Sequence, residues 1–281
     1  METAGVKRTI GFYQLILTAV LLVIAWFIMA PFFWMFATSL RPAMDSFKLP
    51  PSLWPSVFEW DNYAAVFASI PFAAFFWNSM KVSVLVGLAQ VASSATAAYA
   101  FARLRFPGRD ALFILVLSAL MIPHQVTIIP LFIMIRKLGW MDTHAALIVP
   151  HMIYPFGIFL LKQFMSTIPT ELEEAARVDG ASRYRIFREV IVPISMPSIS
   201  VVAVFSFIAS WNMFFSPLLF INTYEKMTLP LGITILQGYM GNGNMSALLA
   251  GVTMSLVPVV LFYIFCQKYL VDGTTVGAVK G

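Results

Sequence analysis

The residues best suited to chemistry in this sequence form one charged stretch, EAARVDGASRYRIFREVIVP, at positions 174–193. It combines acidic, basic and small side chains, although only 11% of the 281-residue chain is charged. Carboxylate and guanidinium groups at this density can form ion pairs and charge-assisted hydrogen bonds with another surface. The stretch therefore predicts a binding element rather than a catalytic one.

Two motifs of known catalytic sites are missing from the sequence. It lacks G-x-x-x-x-G-K-[ST], whose backbone cradles nucleotide phosphates, so this chain is not predicted to bind or hydrolyse ATP. It also lacks H-E-x-x-H, and His124, His144 and His151 are not spaced as the ligands of one metal ion. We predict no catalytic residue, no metal ion and no cofactor in this chain.

The first half of the charged stretch is predicted to form a short helix. Thr170 and Glu173 are spaced as a capping box, in which each side chain bonds to the backbone N–H of the other residue. Ala175 and Ala176 continue the helix with little side-chain bulk, which permits close approach by another surface. Gly180 ends the helix, because glycine readily takes the left-handed conformation that follows many helices.

The second half is predicted to form another short helix. Ser182 can cap its start, and Pro193 is expected to stop it because proline lacks the N–H that continues a helix. Tyr184, Phe187 and Ile191 recur at helical spacing on one face. An apolar stripe of this kind implies a partner surface if it faces water. The alternative is an ordinary polar loop whose arginines rest on lipid headgroups.

The elements that position this stretch are predicted to cross a membrane. Hydrophobic residues make up 60% of the chain and its mean hydropathy is +0.84, whereas soluble domains carry about 25% charged residues. A membrane-spanning helix needs about 20 apolar residues. The apolar runs predict an all-α membrane protein with six transmembrane helices, at 12–38, 76–100, 111–135, 145–165, 198–221 and 247–268.

The distribution of basic residues predicts the orientation of these spans. The apolar run after Lys7 and Arg8 is too long for a signal peptide, so we expect an uncleaved first helix. Twelve of the 18 Lys and Arg residues fall on the side that holds both termini. By the positive-inside rule, both termini and the loop at 166–197 face the cytoplasm. Outer loops are expected at 41–75, along the membrane surface, and at 222–246.

The charged stretch resembles the EAA loop of the membrane subunits of binding-protein-dependent ABC importers. The matching residues are Glu174-Ala175-Ala176, Asp179-Gly180-Ala181 and, after nine residues between Gly180 and Val190, Val190-Ile191-Val192-Pro193. Val190 and Val192 replace the usual isoleucine and leucine, which keeps the apolar character. Three further segments are similar to the carbohydrate branch, in particular the smaller of two paired permeases in maltose-type systems: AYAFARLRFPGR (98–109), SWNMFFSPL (210–218) and GTTVGAVKG (273–281).

This resemblance implies the fold of a type I ABC importer permease. The expected parts are an N-terminal helix with an outer loop (1–75), a permease core (76–270) and a cytoplasmic tail (271–281). A coupling helix between spans four and five would dock into a cleft on a cytoplasmic ATPase subunit. The residues implied for this ATPase contact are Glu174, Ala175, Ala176, Asp179, Gly180, Ala181, Arg183, Phe187 and Pro193.

The resemblance also implies that the chain lies in the inner membrane of a prokaryote and works with several partners. They are a second permease subunit, two copies of an ATPase subunit that binds ATP and Mg²⁺, and an extracytoplasmic binding protein with its sugar. The tail at 271–281 would reach towards the ATPase dimer. The outer loop would contact the binding protein through its Gly- and Asn-rich residues, Gly238, Gly241, Asn242, Gly243 and Asn244.

Polar and aromatic side chains inside the apolar segments are candidates for the substrate pathway. Amides suit the hydroxyl groups of a sugar, and aromatic rings suit its CH face. The candidates of these types are Asn212, Trp211, Gln125 and Tyr154. The alternative is that such side chains lock helices together. The lack of a cationic cluster in the spans argues against a strongly anionic substrate.

Two other classes of function stay open. An independent secondary transporter of a small polar solute would normally show charged residues in its spans and an internal repeat, and here only Lys81 approaches a span. An intramembrane enzyme would need a catalytic cluster, which the sequence does not show. The sequence alone predicts neither which sugar is carried nor which of these residues contact it.

Overall fold

The computed structural model of the protein describes residues 12–45, 54–240 and 244–278, which form helices and connections without a strand. This confirms the all-α prediction for these residues. The α-helices are α1 (Phe12–Ser39), α2 (Asp61–Ser69), α3 (Phe72–Arg103), α4 (Arg109–Ser118), α5 (His124–Lys137), α6 (Ala145–Ile148), α7 (Pro155–Thr167), α8 (Glu171–Val178), α9 (Arg183–Ile186), α10 (Val192–Ile194), α11 (Met196–Trp211), α12 (Phe215–Phe220), α13 (Leu229–Met240) and α14 (Met245–Ala278).

Helices long and apolar enough to cross a membrane occur throughout the described chain. Four segments meet this condition by themselves: Phe12–Ser39, Phe72–Arg103, Ala145–Thr167 and Met245–Tyr269. Two bent pairs also qualify if each pair is one span: Arg109–Met121 with Gln125–Lys137, and Arg183–Ile194 with Met196–Trp211. The described chain thus holds four candidate spans, or up to six when the bent pairs are included.

The third predicted span, at 111–135, is not one straight helix. The chain leaves the helical conformation at Ile122, with φ −90° and ψ 114°, and the two flanking helices meet at 102°. Pro123 explains the break, because a proline ring clashes with a helical conformation of the residue before it. The predicted span at 198–221 is likewise divided, between α11 and α12.

Two stretches predicted as loop or tail are helical. Residues 229–240 of the expected outer loop form α13, and residues 271–278 of the expected tail continue α14. The run LPLGITILQGYM in α13 is mostly apolar, and its two glycines do not break the helix. The outer loop predicted at 41–75 also contains a helix, the nine-residue α2.

The chain divides by its internal packing into two units. The first comprises residues 1–68 and 237–254, and the second comprises residues 69–236 and 255–281. The charged stretch belongs to the second unit. So do the four residues predicted for the substrate pathway.

In the first unit, α2 is fixed against the C-terminal end of α1. The Asn62 Nδ2 group donates to the carbonyl oxygens of Ser39 and Arg41, at 3.0 and 2.7 Å. The hydroxyl groups of Tyr63 and Ser39 are 2.8 Å apart. These bonds matter because the last carbonyls of a helix have no partner within it. The rest of α1 exposes its apolar side chains.

The second unit is built around α3, which packs along α7 and α11. Small residues let membrane helices approach closely, and several lie on the buried face of α3: Ser79, Ser83, Ser94, Ala95 and Ala98. The approach to α7 is tight, because a Cβ atom added to Gly157 would lie 2.6 Å from Ser94 Oγ. Near the end of α3, an apolar cluster supports the charged stretch from beneath, with Leu161, Met165, Ile186 and Ile191 among its buried members.

Candidate docking loop and span cavity

The first half of the charged stretch folds as the sequence predicts. α8 ends where Gly180 takes a left-handed conformation, with φ +79°. The Gly180 N–H donates to the Arg177 carbonyl at 3.0 Å, and the Ala181 N–H donates to the Ala176 carbonyl at 2.9 Å. This pair of bonds is a Schellman motif, which ends a helix sharply. The turn after α8 is therefore closed by the backbone itself.

The predicted capping box between Thr170 and Glu173 is wrong. Thr170 has helical dihedral angles, φ −70° and ψ −25°, and its side chain makes no capping hydrogen bond. The Glu173 Oε1 atom instead lies 3.2 Å from Arg103 Nε, and the two side chains are 8% and 6% exposed. A buried guanidinium group without a counter-charge is costly. Pairing with Arg103 therefore takes the carboxylate away from the helix end.

The second half of the stretch begins as predicted and ends differently. Ser182 caps it, because its Oγ accepts a hydrogen bond from the Arg185 N–H at 3.3 Å. Pro193 does not stop the helix. A π-helical turn, Phe187–Ile191, leads into α10, and Pro193 occupies one of the first two positions of α10. Proline is tolerated there because the first N–H groups of a helix need no partner within it. The chain changes direction afterwards, by 79° where α11 begins.

The prediction that the apolar stripe of the second helix faces a partner is wrong for Ile191, and Phe187 makes a contact within the chain. Ile191 is fully buried. The Phe187 ring packs against the Tyr99 ring, with 5.1 Å between the ring centroids. Both side chains belong to the apolar cluster beneath the loop. Tyr184 differs, because it is 70% exposed.

The surface that the loop presents to water comes mainly from α8 and the turn after it. Val178 is 88% exposed, although it is apolar. Ala176 and Ala181 pack inward against the apolar cluster. The sequence analysis did not identify Val178 as a contact residue. Its position could have indicated this, because it is the last residue of α8, directly before the Asp-Gly turn. We call the outward residues the exposed loop face: Glu174, Ala175, Val178, Asp179, Gly180 and Tyr184.

A polar cavity of about 540 Å³ lies between α8 and the connector that follows α3. Arginines outnumber glutamates in its lining, so the cavity is basic. Arg183, which the sequence resemblance assigns to an ATPase contact, lines this cavity together with Glu174, and both residues are also exposed. The charged lining residues are Arg103, Arg105, Arg109, Glu173, Glu174, Arg177 and Arg183.

A second cavity, of about 350 Å³, lies among the spans of the second unit, and we call it the span cavity. It forms where two spans lose their helical conformation, at residues 212–214 and close to His151. Asn212, predicted for the substrate pathway, lines this cavity. Its polar lining residues are Gln90, His151, Ser210, Asn212 and Ser216.

The other three residues predicted for the pathway lie elsewhere. Trp211 is 3% exposed, and its Nε1–H donates to the Ser255 carbonyl at 3.2 Å, which joins α11 to α14. Tyr154 is half-buried against the apolar cluster. Gln125 is exposed and does not line the span cavity. For Trp211 the geometry favours the alternative reading, in which the side chain locks helices together.

Gln90 also lines the span cavity, although the sequence analysis did not predict it as a pathway residue. A glutamine in an apolar helix could not be assigned to a face of that helix from its sequence neighbours.

Asp142 organises the connection that follows α12. Its Oδ1 accepts hydrogen bonds from the backbone N–H groups of Asn222 and Thr223, at 3.0 and 2.8 Å. Its Oδ2 lies 2.8 Å from Lys226 Nζ. The bonds from Lys226 and Thr223 lower the pKa of the Asp142 carboxyl well below its ordinary value. The start of the predicted outer loop is therefore ordered by specific bonds.

The residues predicted to contact a binding protein fall into three groups. Gly238 is exposed within α13. Asn244 caps α14, because its Oδ1 accepts a backbone N–H of the first turn at 3.0 Å, a bond typical of an N-cap asparagine. Gly241, Asn242 and Gly243 lie outside the described residues.

Apolar helices long enough to cross a membrane, joined by a charged connector, are the architecture of a multi-pass membrane protein. The model of one protein family, the inner membrane components of binding-protein-dependent transport systems, matches residues 91–275, which include the whole charged stretch. The chain belongs to this family.

Relatives match nearly the full length of the chain. The arabinooligosaccharides transport system permease protein AraQ of Halalkalibacterium halodurans is 34% identical over 98% of this chain and 99% of that protein. The trehalose/maltose transport system permease protein MalG of Thermococcus litoralis is 35% identical over 95% of this chain and 98% of that protein.

A solved structure supports the fold. The crystal structure of a bacterial ABC transporter that imports the acidic polysaccharide alginate matches 95% of this chain and 99% of the compared chain, with a TM-score of 0.78 and 22% identity. The chain therefore has the fold of an ABC importer permease, as the sequence resemblance implied.

Proposed function

We propose that this chain is one of two paired permease subunits of an ATP-driven importer that carries a sugar or oligosaccharide into a prokaryotic cell. Relatives that match nearly all of the chain are named for the transport of arabinooligosaccharides and of trehalose and maltose. An external binding protein delivers the sugar. Six spans carry it across the inner membrane, with both termini in the cytoplasm.

The observation that carries the proposal is the exposed loop face. Val178 and Tyr184 are 88% and 70% exposed, on a loop that the basic residues assign to the cytoplasm. Large apolar side chains that face water and are surrounded by polar groups are typical of a protein contact. Because a Schellman motif closes α8, the face is presented by a short element of defined shape. We assign the partner as a cytoplasmic ATPase subunit.

The loop residues then divide into two roles. On the outer side, Glu174 supplies an ionic contact, Ala175 permits close approach and Gly180 sets the turn after α8. On the inner side, a second set holds the loop in place against the apolar cluster and the basic cavity. This set comprises Ala176, Ala181 and Phe187, whereas Arg183 and Pro193 are exposed.

In this mechanism the chain transmits movement and leaves the chemistry to its partners. ATP and Mg²⁺ bind to two copies of the ATPase, and closure of that dimer displaces the exposed loop face. The pair of Arg103 and Glu173 carries the displacement from α8 to the end of α3. Since α3 packs along α7 and α11, the spans move together and open the span cavity to one side of the membrane at a time.

The remaining assignments concern the two ends of the pathway. Outside the cell, the binding protein contacts the segment around Gly238 and residues 241–244. In the cytoplasm, the C-terminal part of the chain, residues 271–281, extends towards the ATPase dimer. The connection ordered by Asp142 holds the outer ends of the spans while the sugar is transferred.

Affinity purification of the tagged chain from its native membrane tests the proposal. We expect a nucleotide-binding subunit and a second permease to copurify with it. After reconstitution with its binding protein, the complex should import a tritiated oligosaccharide only when ATP is present, and the chain alone should hydrolyse no ATP. Recovery of this chain alone, active in transport without ATP, would identify a secondary transporter and refute the proposal.

A further inference from the structure

The basic cavity between α8 and the connector after α3 carries more positive charge than its own carboxylates balance. Five arginines and two glutamates line it, which leaves an excess of three positive charges. Arg103 is paired with Glu173, with 3.2 Å between Nε and Oε1. Arg105 and Arg183 make no ion pair among the residues that the structure describes. The cavity therefore holds cationic groups that lack a counter-charge.

The connector places this cavity near the membrane surface. Arg103 is the last residue of the candidate span Phe72–Arg103, and Arg109 is the first residue of the next, Arg109–Met121. Only residues 104–108 link these two helices, so the connector cannot extend far from the bilayer. Arg105, within the connector, therefore lies close to the lipid headgroups on the side that the basic residues assign to the cytoplasm.

An aromatic cluster beside the connector suits the acyl chains of a lipid. The Phe101 ring packs against those of Phe106 and Phe113, with 6.2 and 5.4 Å between the ring centroids. The Lys162 Nζ atom of α7 lies 4.9 Å from the centroid of the Phe113 ring. Lysines near a helix end commonly pack their stems on apolar surface and extend the amine to the headgroups. Apolar rings and cations thus meet here, as they do at the edge of a bilayer.

A phosphate group with a net negative charge fits the lining of the basic cavity. Guanidinium groups bind phosphate oxygens through paired, charge-assisted hydrogen bonds. The hydroxyl groups of Tyr99 and Thr170 supply further donors. The volume of about 540 Å³ is that of a pocket for a small ligand. A zwitterionic headgroup would bring its ammonium group close to the five arginines, so the charge excess favours an anionic headgroup.

We propose that the basic cavity binds the phosphate of an anionic phospholipid from the cytoplasmic leaflet, held between Arg105 of the connector and Arg183 of the charged stretch. Basic pockets beside membrane spans on this side of a bilayer bind such headgroups. The phosphate links two segments far apart in sequence, next to the direct pair of Arg103 and Glu173. Bound lipid therefore holds the docking loop against the end of α3. The inference goes beyond the proposed import function and does not depend on the solute carried.

Native mass spectrometry tests the site by counting bound lipid molecules. The full chain, with any subunits that copurify with it, is delipidated in detergent and titrated with phosphatidylglycerol or with phosphatidylcholine of the same acyl chains. We expect the anionic lipid to bind about ten times more tightly or better. Arg105→Gln combined with Arg183→Gln should weaken its binding about thirtyfold, about 1 kcal/mol for each arginine. Equal binding of the two lipids to the wild type would overturn the proposal.

The matched control is Arg185→Gln combined with Arg188→Gln. It removes two exposed arginines of the same stretch that do not line the cavity, and it should keep the wild-type affinity for phosphatidylglycerol. Equal losses in the two double variants would show a general attraction to the membrane surface and overturn the site. If the first double variant does not fold, Arg105→Gln alone, at an exposed connector residue, should weaken binding about fivefold, and wild-type affinity would overturn the site.

Two further arms identify what the arginines bind. Millimolar inorganic phosphate should leave phosphatidylglycerol in place, because it lacks acyl chains, and its displacement of the lipid would indicate a site for a soluble anion instead. Loss of the ATPase subunit from the Arg105→Gln, Arg183→Gln variant at unchanged lipid affinity would assign both residues to a protein contact. Either result overturns the lipid site. Neither bears on ATP-dependent import, which copurification and transport measurements test separately.

Discussion

Arg103 and Glu173 form an ion pair between segments far apart in sequence, with 3.2 Å between Nε and Oε1 and less than a tenth of either side chain exposed. Arg103 is the last residue of α3, and Glu173 belongs to α8. The Arg103 Nη2 group also donates to the Ile168 carbonyl, just after α7. Neither Arg103 Nε nor Glu173 Oε1 has a hydrogen-bond partner elsewhere in the described chain. One guanidinium group thus connects the ends of α3 and α7 to α8.

Arg103→Ala is expected to destabilise the protein by about 3 kcal/mol, because it leaves the Glu173 carboxylate buried without a counter-charge. Thermal unfolding of the purified complex should show a lower midpoint. Arg177→Ala is the matched control, since Arg177 is 64% exposed and lies 3.9 Å from the same carboxylate. The double variant Arg103→Met with Glu173→Met should recover most of the loss, because it removes both buried charges. Equal losses for Arg103→Ala and Arg177→Ala would contradict this prediction.

Gly180→Ala is expected to reduce the sugar imported per ATP hydrolysed. No atom lies within 4 Å of the position of the added Cβ, so the cost is that of a left-handed backbone, about 1 kcal/mol. Gly180→Pro should be worse, because proline cannot adopt a positive φ. Gly108→Ala makes the same change at φ +76°, also in open space, in the turn before α4. If Gly108→Ala uncouples transport as strongly as Gly180→Ala, the effect does not come from docking.

Val178→Glu is expected to abolish recovery of the ATPase subunit in copurification without lowering the unfolding midpoint of this chain. Val178 is 88% exposed, so the substitution adds a charge to an apolar contact and disturbs no core. Val178→Thr keeps the shape of the side chain and should retain most of the binding. Normal ATPase recovery with Val178→Glu would remove this residue from the contact.

The outer connection is expected to lose stability in acid through Asp142. Bonds from Lys226 and Thr223 hold the pKa of its carboxyl below the ordinary value of 3.8. Since the folded chain then binds fewer protons than the unfolded chain, the stabilisation is complete at neutral pH and is lost as the pH falls below that value. Asp142→Asn should lower the unfolding midpoint at neutral pH and flatten its decline in acid. Asp110→Asn, at a side chain that is 83% exposed, is the control. An unchanged acid profile in Asp142→Asn would disprove the assignment.

Local signals were sufficient to predict α8 and its end. A helix beginning after Thr170 and closing at Gly180 depends on residues within about ten positions of one another, and the structure has this helix with the expected left-handed glycine. The Ser182 cap was predictable for the same reason. The predicted spans at 12–38, 76–100 and 247–268 each lie within one helix, because long apolar runs leave few other structures in a membrane.

Features that depend on distant residues could not be predicted in this way. The capping box failed because Glu173 had a stronger partner, Arg103, which only the packing of α3 against the loop brings near. The packing of Phe187 against Tyr99 was not predicted, because the sequence does not show that Tyr99 lies near it. Gln90 became visible as a candidate only once breaks in two other spans had formed a cavity beside it.

The exposure of α1 has a practical consequence for anyone handling this protein. The most apolar 18-residue window of this 28-residue helix is 0% buried within the chain, at a mean hydropathy of 2.6. Once extracted from a bilayer, that surface must be covered by detergent or by a neighbouring chain. Bound detergent would therefore contribute to the size of this subunit when it is purified alone. Its apparent size in solution would change with the detergent chosen. Co-expression with any subunits that copurify with it is the better starting point for purification.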